Sequence, residues 1–282
     1  MNRILQLITG AACLCLSLQA LAQFNLAGTW AQRMHEDSAE RGGGPAIGDY
    51  TGLPINDAAR MRADTWDAAK WTIPEHQCEP HPIDYATLGP ASMLVTAEHD
   101  PASFDVIAWH LTFSWMNTTQ TIWMDGRAHP PAEAPKSWMG FSTGRWDGDM
   151  LVVDITHIKE GWLRRNGLPR SDIAEVTQYW ILHGDILQQI TVIDDPVYLD
   201  EPSVRSVAWE ANPGYQMGPY TCSARVEIEQ PQGFVYHYLP GTNPLLRTFS
   251  EESGIPWEAT RGGAETQYPE YLEVLEELLD EE

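Results

Sequence analysis

The sequence predicts a mainly β protein: an antiparallel meander that closes into a barrel, with an irregular, partly helical N-terminal arm and a short C-terminal helix. Three observations carry that expectation. Eight segments between 91 and 211 are rich in β-branched and aromatic residues, and several alternate in polarity. Asp147-Gly148-Asp149 and Gly184-Asp185 supply tight-turn chemistry between neighbouring segments. No helix-length period separates the segments, which argues against a βαβ arrangement, and a long meander tends to close because open strand edges invite aggregation.

In chain order, residues 1–22 combine Arg3, an apolar run and Ala20-Leu21-Ala22, the pattern of a cleaved signal peptide. Thr9, Gly10, Ser17 and Gln19 interrupt the run well short of the roughly 20 apolar residues that span a bilayer. No stable membrane insertion is therefore expected after cleavage, and the mature protein is expected in the periplasm or outside the cell. Residues 23–90 are read as an opening strand at 26–31, a Gly/Pro-rich arm and a helix within 56–70 that starts at Asn56 or Asp57. Pro74, Pro80, Pro82 and Pro90 restrict regular structure over 71–90. The barrel is assigned to 91–230, with strands at 91–99, 104–114, 119–124, 138–146, 149–156, 173–182, 185–193 and 203–211. Residues 231–282 start as a Pro/Gly-rich arm and end in an amphipathic helix, with Tyr271, Leu275, Leu278 and Leu279 spaced for one face. That stripe is expected to pack on the barrel or on a second copy, which would make a homo-oligomer.

Charge and cysteine usage narrow the partners. The chain carries 17 Lys+Arg against 40 Asp+Glu, a formal charge of −23. Nucleic acid is disfavoured by that balance, and so is an anionic membrane surface. Cys13 and Cys15 would leave with the signal, so Cys78 and Cys222 remain to form one disulfide in an oxidising compartment. The competing reading is a metal site, because His76, Cys78 and His81 place three ligand types in six residues. Structural zinc sites usually pair their ligands at both ends of the motif, and no metal is assigned. No cofactor is expected either, since there is no nucleotide-binding glycine signature, and without a G-x-S-x-G elbow or a free cysteine the hydrolase templates built on those nucleophiles are unsupported.

Gly28-Thr29-Trp30, at the head of the meander, resembles the Gly-x-Trp opening of lipocalin-type barrels, in which the tryptophan closes the bottom of the barrel beneath a ligand cavity. That likeness implies a lipocalin-like barrel. The stretches 123–130 (WMDGRAHP), 144–154 (GRWDGDMLVVD), 156–160 (THIKE), 164–167 (RRNG) and 194–198 (DDPVY) resemble a large family of exported bacterial proteins. The similarity extends over most of the mature chain, including 48–54 and 259–265. It implies a compartment and a fold, and hands over no reaction.

Candidate chemistry centres on 123–131. Asp125, Arg127 and His129 fall within five residues at the end of an expected strand. Asp125 can act as a base or orient His129, His129 can transfer a proton near neutral pH, and Arg127 can hold an anion bidentately. The competing reading is a structured turn in which Asp125 caps backbone amides and pairs with Arg127. His157 precedes Lys159, Glu160, Arg164 and Arg165, the most basic stretch of an acidic chain, which is either a rim for an anionic ligand or a balance for nearby acids. Asp154 interrupts the face carrying Met150 and Val152, so strand register decides whether it is an interior acid needing partners or faces solvent. His110 reads as a hydrogen-bonded interior residue, and with His129 and His157 it shows no local metal spacing.

Asp125 and His129 are thus the catalytic candidates, and Trp123, Arg127, His157, Asp154 and His110 the ligand-binding ones. The chain has twelve tryptophans, whose faces can wall a site as well as pack a core. The expected function is binding of a small hydrophobic or aromatic molecule. The alternatives are a hydrolase or lyase working through Asp125 and His129, and an envelope interaction protein using the C-terminal stripe. Whether the protein is an enzyme stays open.

Overall fold

Alternation within each expected strand decides which face is buried. The computed structural model describes residues 23–33, 44–88 and 92–281, so the expected signal peptide lies outside the described residues. The strands are β1 (Gly28–Arg33), β2 (Met93–His99), β3 (Val106–Phe113), β4 (Thr119–Trp123), β5 (Phe141–Asp147), β6 (Met150–Thr156), β7 (Gly161–Arg164), β8 (Leu168–Arg170), β9 (Glu175–His183), β10 (Ile186–Asp194) and β11 (Ser203–Ala211). Nine of them close into a barrel in the order β1-β11-β10-β9-β6-β5-β4-β3-β2, and β7 and β8 form a separate hairpin. The protein is a mainly β, lipocalin-like barrel.

All eight segments expected at 91–211 are strands, and Gly148 and Gly184 take positive φ in the turns expected to join β5 to β6 and β9 to β10. One pairing departs from an antiparallel meander: β4 and β5 run parallel, through Ile122↔Ser142 and Trp123↔Thr143. The cause is the long connection 124–140. With Pro130, Pro131 and Pro135, it is extended enough to bring the chain back to the end of the barrel where β4 began.

The two ends differ. At one, the base, Leu26 is fully buried and its carbonyl accepts the indole N–H of Trp30 at 3.0 Å. The other end is capped by α1 (Asp57–Asp64), α2 (Pro74–Gln77), α3 (Ile83–Ala86) and the β7–β8 hairpin. The helix expected from Asn56 is α1, whose N-cap Asn56 side chain accepts the Ala59 amide. The short hairpin was not legible because β8 is a three-residue run buried throughout.

Within the barrel, β6 turns Leu151, Val153 and Ile155 inward, and β9 does the same with Val176, Gln178 and Trp180. In β10 the inward set is Leu187, Gln189, Thr191 and Ile193, so the more apolar face carrying Ile186, Ile190 and Val192 points outward. The glutamines have a purpose there. The buried indoles of Trp180 and Trp209 donate to Gln178 Oε1 (3.3 Å) and Gln189 Oε1 (3.4 Å), because a buried indole N–H needs an acceptor.

Near the C-terminus come α4 (Thr248–Ser253) and α5 (Tyr271–Glu281). In α5, Tyr271, Leu275 and Leu278 are half-buried, whereas Leu279 is exposed and lies off the expected stripe. Cys78 and Cys222 form a disulfide across a sequence separation of 144 residues. Among the described residues no helix is long and apolar enough to cross a membrane.

Candidate functional site

The stretch 123–131 folds as a turn and a strap. Trp123 lies on the outer face of β4 beneath the Arg127 guanidinium, 3.5 Å from its ring centroid. Asp125 accepts from the Arg127 backbone N–H at 3.2 Å and from its Nε at 2.8 Å. These bonds hold the Asp125 carboxyl below the usual carboxylate range and push the Arg127 pKa up.

His129 sits further along, against the outer wall. Its Nδ1 shares a hydrogen bond with Thr156 Oγ1 (2.6 Å) and its Nε2 with Thr143 Oγ1 (2.8 Å). Among the described residues no hydrogen bond joins it to Asp125 or Arg127. Partial burial lowers its pKa, opposed by the charge of Asp154.

The remaining candidates also lie on the outside of the barrel. His157, at φ 57°, bonds Thr156 Oγ1 (2.7 Å) and the Pro131 carbonyl (2.9 Å), so Thr156 links it to His129 and the strap is fastened to β6. Asp154 is on the outer face of β6, paired with Arg145 and accepting from Thr177. His110 is on the outer face of β3, bonded to Glu98 Oε2 (2.9 Å) and Thr121 Oγ1 (3.1 Å), and is not an interior residue. Among the described residues no group of three or more His, Cys, Asp or Glu is placed to hold a metal. Cys78 is held in the disulfide, leaving His76 and His81 for other roles.

Those roles are in the cap, where four tryptophans from distant parts of the chain converge. Trp66 follows α1 directly. Trp71 lies in the 3₁₀ turn Ala68–Thr72, which Asp67 starts by accepting the Ala69 amide at 2.9 Å. Trp162 is in β7 and Trp138 precedes β5. The rings of Trp66 and Trp162 are 4.3 Å apart and that of Trp71 is 5.6–5.8 Å from both, mostly edge to face. They border a cavity of about 180 Å³ whose rim also includes Arg62, Lys70, His76, Glu79, His81 and Glu160.

Local chemistry builds this arrangement. Gly167 stands at φ 97° where a Cβ would come within 2.4 Å of Trp66, so only glycine lets the β7–β8 turn close on that ring. Behind the hairpin the Asp84 carboxylate and the Arg170 guanidinium, both fully buried, form a two-point pair at 3.1 and 3.2 Å. Arg170 Nη1 donates to the Ser171 carbonyl (2.6 Å), and Nη2 donates also to that of Lys159 (2.7 Å). On the rim, Arg62 holds Glu160 (2.7 Å) and His76 holds Glu79 (2.9 Å). His81 stacks on Trp115 and meets Tyr85 edge on. Burial, reinforced by Arg165, lowers its pKa to about 4, so it is neutral at pH 7.

A second hollow, of about 550 Å³, lies at the base among Phe24, Phe104, Val106, Trp109, Met124 and Trp146. It is partly walled by the 23–27 segment, and its lining residues include no lysine or arginine.

No family model matches the chain, and no curated protein or solved structure does. The site has to be read from its own geometry. The sequence drew attention to His76 and His81 through their spacing with Cys78. It gave no sign that the four indoles meet, since only Trp66 and Trp71 are near one another in the chain.

Proposed function

We propose that this chain is an exported binding protein whose cap pocket holds a small, single-ring aromatic or apolar molecule. The observation that carries the reading is the convergence of Trp66, Trp71, Trp138 and Trp162 around a cavity of about 180 Å³. A cavity of about 150 Å³ lined by apolar groups is sufficient to take up benzene, and indole faces and edges favour a flat aromatic guest. The disulfide and the signal-like residues 1–22 support export. The motifs at 123–130 and 144–154 support kinship with the exported bacterial family. In this reading the Asp125–Arg127 turn and the His129–Thr156–His157 chain secure the 124–140 connection to the barrel.

Calorimetric titration with a panel of single-ring compounds tests the proposal. Saturable binding is expected in the parent and in Trp146→Phe at the base, and a loss of at least tenfold in Trp71→Ala. No saturable heat with any compound, or equal binding by Trp71→Ala, would overturn it.

A further inference from the structure

We infer that the guest of the cap pocket is an anion, an aromatic carboxylate recognised by the ammonium group of Lys70. The inference rests on the pocket being a ligand site and adds the charge of the ligand.

The chain has only three lysines among its 57 charged Asp, Glu, Lys and Arg residues. Lys136 is paired with Asp172 at 2.7 Å. The other two lie on tryptophans of this pocket: Lys70 Nζ is 5.6 Å from the Trp66 ring centroid and Lys159 Nζ 4.8 Å from that of Trp138. Among the described residues neither has a carboxylate within ion-pair distance. In a protein where acids outnumber bases by more than two to one, Lys70, half-buried at the cavity and without an acid, is a cation kept available, whereas Lys159 is exposed. The rim acids do not fill the role, because Glu160 is engaged by Arg62 and Glu79 by His76.

The same geometry argues against the opposite ligand class. Tryptophan cages that take quaternary ammonium groups offer the ring face to the ligand's positive charge. Here Lys70, Lys159 and Arg165 already stand over the faces of Trp66, Trp138 and Trp71. Of these cations Lys70 lines the cavity itself, so a cationic guest would meet like charge there, whereas a carboxylate would meet a counter-ion with the ring seated against indole.

Calorimetry with matched single-ring compounds tests this: benzoate and phenylacetate, their neutral amides, and benzyltrimethylammonium. The expected result is that the carboxylates bind at least tenfold more tightly than the amides and that benzyltrimethylammonium binds least. Lys70→Gln is expected to bring the carboxylate-to-amide ratio close to one, and Lys70→Arg to keep most of the preference. Equal affinity for carboxylate and amide in the parent, or an unchanged ratio in Lys70→Gln, overturns the inference while leaving the pocket as a binding site. Preference for the ammonium compound also overturns it. If no compound of any charge binds, the pocket reading and the inference fall together.

Discussion

Single side chains in the cap carry two measurable consequences. His81 is held neutral by burial, with its pKa lowered from 6.5 to about 4. A histidine whose folded pKa lies below its unfolded one contributes stability at pH above 6.5, and that contribution is lost as the pH falls from 6.5 towards 4. At about 1.4 kcal/mol per pKa unit the full loss is roughly 3 kcal/mol. Urea denaturation of the parent and His81→Gln at pH 7 and pH 4 should show the parent losing that much more than the variant. Parallel losses would mean that His81 titrates normally. Asp84 makes a different test: Asp84→Asn keeps the volume but leaves the Arg170 charge buried and uncompensated, at a cost of about 3–5 kcal/mol. Denaturant midpoints should fall accordingly.

At the scale of elements, the β7–β8 hairpin is what brings the pocket together. Gly167→Ala would put a methyl group into Trp66 at a backbone position hostile to L side chains. A loss of about 1–3 kcal/mol in stability is expected, with ligand affinity falling along with it. Unchanged affinity in a folded Gly167→Ala protein would show that Trp66 does not wall the site. The barrel strands were legible because each expresses a period of two or a β-rich composition between clear turn signals. The hairpin was not, since four- and three-residue strands are too short to show any period. The parallel β4–β5 pair was hidden for another reason: prolines mark where regular structure stops, and they say nothing about where an extended connection leads.

For the whole molecule, the disulfide is a long-range covalent constraint. It ties Cys78, in the wall between His76 and His81, to Cys222, which lies in the exposed segment after β11. Closing a loop of that length contributes about 4–5 kcal/mol in the chain-entropy model. Replacing both cysteines by serine should therefore lower the denaturation midpoint and weaken ligand binding, because the wall between His76 and His81 loses its tether. If stability falls and binding does not, the tether serves the fold alone. The predicted pairing of Cys78 with Cys222 came from counting after the expected signal cleavage, a compositional argument that needed no coordinates.

Local chemistry determined the barrel strands, their turn glycines, the opening Gly-x-Trp, the Asn56 cap and the disulfide partners, since each depends on residues a few positions apart or on a count. Tertiary structure alone decided which strand faces turn inward and placed His110 and Asp154 on the outer wall. It also separated Asp125 from His129 and gathered Trp66, Trp71, Trp138 and Trp162 around one cavity. Side-chain proximity in a barrel with a folded cap depends on register and on long connections. Neither leaves a periodic mark in the chain, so the strongest site in this protein is made of residues that look ordinary one at a time.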